Sequence, residues 1–112
     1  AEYARRHGYG FLSHVLPYET MCSAVEPRTC HWYKVLLMMD RLSSDAAARY
    51  EHLVWLDADA VVLDMGRKLH ELLAQYPQEV VCAEDCSAAS LINTGVLALR
   101  PSDYVRRLCE EV

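Results

Sequence analysis

No apolar run in the 112 residues approaches the about 18 that a membrane-spanning helix requires, so no span is expected within them. Lysine and arginine gather nowhere. Arg5-Arg6 and Arg106-Arg107 are isolated pairs in a chain of net charge −5, which argues against nucleic acid as a partner. The start, Ala1-Glu2-Tyr3, is polar and lacks an initiator methionine, so no signal peptide is expected there. Cys82-x-x-x-Cys86 and Cys30-His31 have no second pair that would complete a tetrahedral zinc set. With Cys22 and Cys109 they are read as buried or free thiols, which leaves the redox compartment open. Internal repeats and low-complexity stretches are also missing. The length suits one domain with a real core, and the ordinary mixture of apolar and charged residues suits a globular one.

Both ends predict a trimmed piece. The chain opens inside a helical pattern, Glu2 to His7, with no capping residue ahead of it. It closes on Cys109-Glu110-Glu111-Val112, where two glutamates oppose the helix dipole and no basic residue or glycine marks a stop.

Between these ends, helical and strand patterns alternate. Gly8 is the expected C-terminal cap of the first helix. Tyr9 to Val15 reads as a strand turned by Pro17, and residues 17–28 read as loop. From Thr29, the positions Trp32, Val35, Leu36, Met39 and Leu42 follow the rhythm of one buried helical face, and Ala46-Ala47-Ala48 adds a short turn. Leu53-Val54-Trp55-Leu56 is apolar without alternation, the pattern of a strand covered on both faces in a parallel sheet. A second apolar run, Ala60 to Leu63, follows. Asp64 is placed to cap a helix whose inner face is Leu69, Leu72, Leu73 and Tyr76, ended by Pro77. Glu79 to Ala83 and Ile92 to Leu99 read as strands, with a small-residue loop over Ser87 to Ser90. Pro101-Ser102 opens a final helix with Tyr104, Val105, Leu108 and Cys109 inward. The fold class is therefore α/β.

The chemistry sits at Asp57-Ala58-Asp59, directly after the most apolar strand. The carboxyl edge of an open α/β sheet is where ligands bind. Two side chains two residues apart on an extended strand point the same way from positions roughly 6.5–7 Å apart. A magnesium–oxygen bond spans only ~2.1 Å. Either the chain bends at Ala58, or one aspartate ligates while the other works through water or a ligand hydroxyl. Both arrangements suit a hard divalent cation carrying a diphosphate. The competing reading is an acidic surface turn. Against it, no Gly or Pro marks a turn, and two adjacent carboxylates repel each other without a cation.

Four blocks in order, Tyr3-Ala4-x-x-His7-Gly8-Tyr9, Trp32-x-Lys34, Val54-Trp55-Leu56-Asp57-Ala58-Asp59-Ala60 and Ile92-Asn93-Thr94-Gly95-Val96, resemble glycosyltransferase family 34 across nearly the whole chain. That family contains galactosyl-, mannosyl- and xylosyltransferases. The resemblance implies a GT-A-like three-layer α/β/α sandwich with a mainly parallel sheet, here a single partial catalytic domain over residues 1–112, incomplete at both ends. It implies transfer of a hexose or pentose, with retention, from a nucleotide-diphosphate donor to a glycan hydroxyl. Manganese, with magnesium as the alternative, would be the cofactor. Metal ligation falls to Asp57 and Asp59 in the cofactor-binding Asp57-Ala58-Asp59. Asp59 is the direct ligand, and Asp57 lies nearer the ribose or a metal-bound water. Catalytic roles fall to Asp85 and Asn93, and substrate contacts to Glu84, Thr94 and Gly95. Such enzymes carry an N-terminal anchor and work on the lumenal side of the Golgi membrane. Two departures matter: the family's opening strand and loop for the nucleotide base are not found ahead of Ala1, and no histidine follows His70 to serve as the usual late metal ligand. Turnover is therefore expected of the complete parent protein rather than of this stretch alone. On helical geometry, Lys34 lies about 200° around the helix from Trp32 and is expected to be solvated, with Trp32 in the core.

Two other classes remain open at this level. Asp57-Ala58-Asp59-Ala60-Val61 also resembles the first motif of a haloacid-dehalogenase-type phosphatase, which would make Asp57 a nucleophile and Asp59 its acid/base partner. Some fifty preceding residues and the Ile92-Asn93-Thr94-Gly95-Val96 strand go unexplained by that reading. A non-catalytic fragment of the transferase fold is the other, against which the intact acidic pair argues.

Overall fold

The computed structural model describes residues 1–86 and 91–112, so the loop expected over Ser87 to Ser90 lies outside the described residues. Helix α1 spans Glu2–His7 and stops at Gly8, whose φ of 71° is the left-handed conformation that glycine adopts without penalty. A short helix α2, Tyr18–Ser23, is followed by a 3₁₀ turn over Cys30–Trp32 and helix α3, Tyr33–Leu42. A second 3₁₀ stretch, Asp45–Arg49, leads into strand β1, Leu53–Leu56. Helix α4 is Leu69–Leu73, strands β2 and β3 are Val80–Glu84 and Ile92–Leu99, and helix α5 is Asp103–Glu111. The Ser102 hydroxyl caps α5 by accepting the Val105 N–H at 3.1 Å.

The three strands form one sheet in the order β1-β3-β2, and both pairings are antiparallel. This corrects the expectation of a mainly parallel sheet. An unalternating apolar run reports two apolar faces, whereas strand direction is set by the connection. Only residues 85–91 link β2 to β3, too short for the crossover of a dozen or more that a parallel pair needs. Because β3 runs between them in the opposite sense, β1 and β2 are parallel to each other without touching.

Register assigns the faces. Leu53 and Val80 both pair with Leu99, and Trp55 and Cys82 both pair with Leu97. Helices α3 and α5 cover this face through Met38, Leu42, Val105 and Cys109, which with Leu99 form the core. The Arg106 Nε–H donates to the Leu42 carbonyl at 3.1 Å and fixes the end of α3 against α5. On the opposite face Ala98 is buried between Val54 and Val81, but Leu56 and Val96, a cross-strand pair, are exposed. The second helical layer of a three-layer sandwich is not seen over that pair among the described residues.

Other expectations also need correction. Tyr9 to Val15 forms no strand: Phe11, Leu12 and Val15 are exposed and pair with no sheet edge among the described residues. Residues 17–28 contain α2 rather than loop alone. The expected apolar face of α3 is rotated, so that Met38 and Leu42 are buried while Trp32 and Leu36 stay exposed. Trp32 lies under the Arg28 guanidinium at 4.8 Å, on the rim of a groove of about 340 Å³ that Val25, Met39 and Cys109 also line. Ala60 to Leu63 is exposed coil, with Leu63 93 % exposed. Asp64 accepts the backbone N–H groups of Gly66 and Arg67, closing a turn ahead of α4 rather than capping it. Tyr76 and Tyr104, expected inward, are exposed.

Candidate functional site

The alternating senses of β1, β3 and β2 bring the carboxyl ends of β1 and β2 to the same end of the sheet as the start of β3. Asp57 follows β1, Glu84 and Asp85 close β2, and Asn93, Thr94 and Gly95 open β3. Topology thus gathers every sequence-derived site residue at one sheet end.

The chain bends immediately after β1. Ala60 donates its N–H to the Asp57 carbonyl at 2.9 Å, closing a tight turn over Ala58 and Asp59. The chain bends at Ala58, and the bend separates the two carboxylates by environment. Asp57 turns into the protein. Its Oδ1 accepts the Trp55 indole N–H at 2.5 Å and the Lys34 ammonium at 3.1 Å, while Lys34 lies 3.4 Å from Oδ2. Its own N–H donates to the Gly95 carbonyl at 2.8 Å, continuing the β1–β3 ladder by one bond. Burial pushes the Asp57 carboxyl up, but the Trp55 N–H and then the Lys34 ammonium outweigh it and hold the group below its usual range. Asp59, by contrast, is exposed on the turn, with no hydrogen bond or ion pair among the described residues.

Lys34 overturns the expectation of a solvated side chain. Only 16 % of it is exposed, and it also donates to the Thr94 carbonyl at 3.2 Å and hydroxyl at 3.3 Å. The helical wheel correctly took it off the Trp32 stripe, but that direction points at the sheet end rather than at water. The Trp32-x-Lys34 block, two residues into α3, was the available signal. The partner role of Trp55 was hidden as well, since its ring packs against the core while its N–H serves Asp57.

Gly95 has no left-handed backbone to justify it; closeness does. A Cβ there would come 3.0 Å from Asn93 Oδ1 and 3.3 Å from Asp57 Oδ2. Asn93 Oδ1 in turn accepts the Gly95 N–H at 2.8 Å. Glu84 is exposed opposite Ile92, beyond an irregularity in the β2–β3 register, and the Asp85 N–H donates to the Leu91 carbonyl at 3.4 Å. Asp85 is half-buried.

As for a metal, no group of three or more His, Cys, Asp or Glu side chains converges among the described residues. A magnesium-like cation in a nucleotide site takes one or two carboxylates, with water and substrate phosphates supplying the rest. An unengaged Asp59 on a turn fits that sparse pattern. No helix among the described residues is long and apolar enough to cross a membrane.

A second polar cluster ties α1 to the segment before α4. The Tyr3 hydroxyl donates to the Arg67 carbonyl at 2.6 Å, His7 Nε2 lies 2.9 Å from the Met65 carbonyl, and the Tyr9 hydroxyl lies 2.8 Å from His70 Nδ1. His7 stacks on Tyr9, Tyr3 tilts against both and His70 meets Tyr9 edge-on, which gives the His7-Gly8-Tyr9 block a structural task.

Compared with known proteins, residues 1–94 match the profile of the galactosyl transferase GMA12/MNN10 family. No curated protein and no solved structure gives a significant match. The matched stretch takes in Lys34, Trp55, Asp57, Asp59, Glu84, Asp85, Asn93 and Thr94, and it leaves the phosphatase alternative without support.

Proposed function

This chain belongs to the galactosyl transferase GMA12/MNN10 family, a family of glycosyltransferases, and from that premise we propose that it carries the metal–diphosphate part of the catalytic site. The reaction is transfer of a hexose or pentose from a nucleotide-diphosphate donor to a glycan hydroxyl. The observation that carries this reading is the turn after β1. It presents the Asp59 carboxylate to solvent at the sheet end where Asn93, Thr94 and Gly95 also lie. Asp59 would hold Mn2+ or Mg2+, which when bound neutralises charge developing on the leaving diphosphate. Thr94 and Gly95 line the approach to Asp57, Asn93 braces Gly95, and Glu84 and Asp85 stand across the sheet end as the groups that meet the transferred sugar. The GT-A-like fold of such enzymes and their place on the lumenal side of the Golgi membrane, held by an anchor outside these residues, belong to the same proposal. The parallel relation of β1 and β2 supports the fold, although the sheet they share is antiparallel pair by pair.

The test is sugar transfer by the full-length protein to glycan acceptors from a panel of UDP- and GDP-sugars, with and without Mn2+. We expect Mn2+-dependent transfer that Asp59→Ala abolishes while the folded state survives. Equal turnover in that variant would remove the proposed metal site.

A further inference from the structure

The Lys34 ammonium reaches from α3 to two strand ends at once. Beyond β1 it meets Asp57 at 3.1 and 3.4 Å; on β3 it meets the Thr94 carbonyl and hydroxyl at 3.2 and 3.3 Å. An ammonium has three protons to give and no lone pair, so these oxygens satisfy it fully. With 16 % of the side chain exposed, its charge is largely withdrawn from water, and the compensation must come from this local set. The same Asp57 oxygen that faces Lys34 also accepts the Trp55 indole N–H. The Gly95 backbone lies close enough to the other oxygen that a Cβ would stand 3.3 Å away.

A divalent cation arriving at Asp57 would have to displace an indole donor and an ammonium, then sit beside a lysine of like charge left without its carboxylate. At Asp59 it would displace only water. We propose that Lys34 is a positioning residue: it ties α3 to both strand ends and fixes Asp57 as the anchor of the turn, leaving Asp59 as the carboxylate that meets the cation. The cation half of this assignment rests on the function proposed above. The positioning half rests on the contacts alone.

The experiment uses the full-length protein with two readouts. The first is the Trp55 indole N–H resonance, assigned with a Trp55→Phe variant. Lys34→Met should move it, because the carboxylate it reports on is no longer held, and Lys34→Arg should restore it. An unmoved resonance in Lys34→Met overturns the positioning role. The second is binding of Mn2+ alone by wild type, Asp57→Asn and Asp59→Asn. Asp59→Asn should weaken binding by about tenfold more than Asp57→Asn does, one ligand interaction at about 1.4 kcal/mol per decade. Equal losses would return Asp57 to the ligand set and overturn the assignment. If wild type binds no Mn2+, the metal-dependent function and the cation half fail together, and the Trp55 resonance still decides the positioning half.

Discussion

The two halves of β3, Ile92-Asn93-Thr94-Gly95 and Val96-Leu97-Ala98-Leu99, share one strand and are put to different uses. Ala98 and Leu99, at its end, are 4 % and 2 % exposed; Leu99 packs with α3 and α5, and Ala98 lies between Val54 and Val81 on the other face. Ile92 at its start is 58 % exposed, and the residues that follow spend their polar groups on Lys34, Gly95 and Asp57. The apolar end carries the fold, while the exposed end holds backbone and side-chain atoms where a ligand can reach them. Hydropathy separates Asn93 and Thr94 from the apolar end but not Ile92, since isoleucine is at least as apolar as alanine or leucine. What sets Ile92 apart from Leu99 is that α3 and α5 cover the sheet at Leu99. Stability and activity should therefore respond to substitutions at opposite ends of one strand.

The largest contrast is expected between Leu99→Ala and Ile92→Ala. The first empties the centre of the core and should cost about 2–5 kcal/mol in chemical denaturation. The second trims an exposed side chain and should cost no more than about 0.5 kcal/mol. Similar losses at both positions would break the division. Next comes Gly95→Ala, which has the least room at the site end. Crowding Asn93 Oδ1 and Asp57 Oδ2 should cost about 1–3 kcal/mol. Here the loss should appear with a fall in metal-dependent nucleotide binding, seen by titrating the folded variant. Ser102→Ala removes the cap of α5 on the core side and should cost about 1 kcal/mol in thermal or denaturant unfolding. It should leave nucleotide binding unchanged, because α5 meets the core and not the acidic turn.

The smallest effect concerns pH. Burial, then the neighbouring Arg100, push the His52 imidazole below its ordinary value near 6.5. The unfolded chain therefore takes up a proton in a range where the folded chain does not. His52 costs the fold nothing above about pH 6.5, and stability declines as pH falls from there through its lowered folded value. A His52→Gln variant should show a flatter stability profile over that range in denaturant titrations at several pH values. An unchanged slope would mean that His52 titrates normally.

Much of the local structure is legible because it depends on few residues. Gly8 ends α1 and Ser102 starts α5 where the capping chemistry places them. The apolar run Leu53–Leu56 and the strand expected over Ile92–Leu99 form with those bounds. What stays hidden depends on partners distant in sequence. The direction of the strands follows from how β2 connects to β3, not from the composition of either. Tyr9 to Val15 has strand-like residues but no sheet edge to pair with, and a strand does not persist alone. Lys34 reads as a surface lysine until α3 is docked over the sheet end, where Asp57 and Thr94 come within reach from 23 and 60 residues away. The acidic pair was found by sequence; its division into a held aspartate and an open one needed the fold.

Everything proposed for the site depends on Asp59 holding the metal that carries the nucleotide diphosphate. The direct test is calorimetric titration of the full-length protein with UDP and GDP, with and without Mn2+, in wild type and Asp59→Ala. Mn2+-dependent binding of one nucleotide is expected, and it should disappear in Asp59→Ala while unfolding remains cooperative. Binding that is indifferent to Mn2+, or that survives in Asp59→Ala, would contradict it.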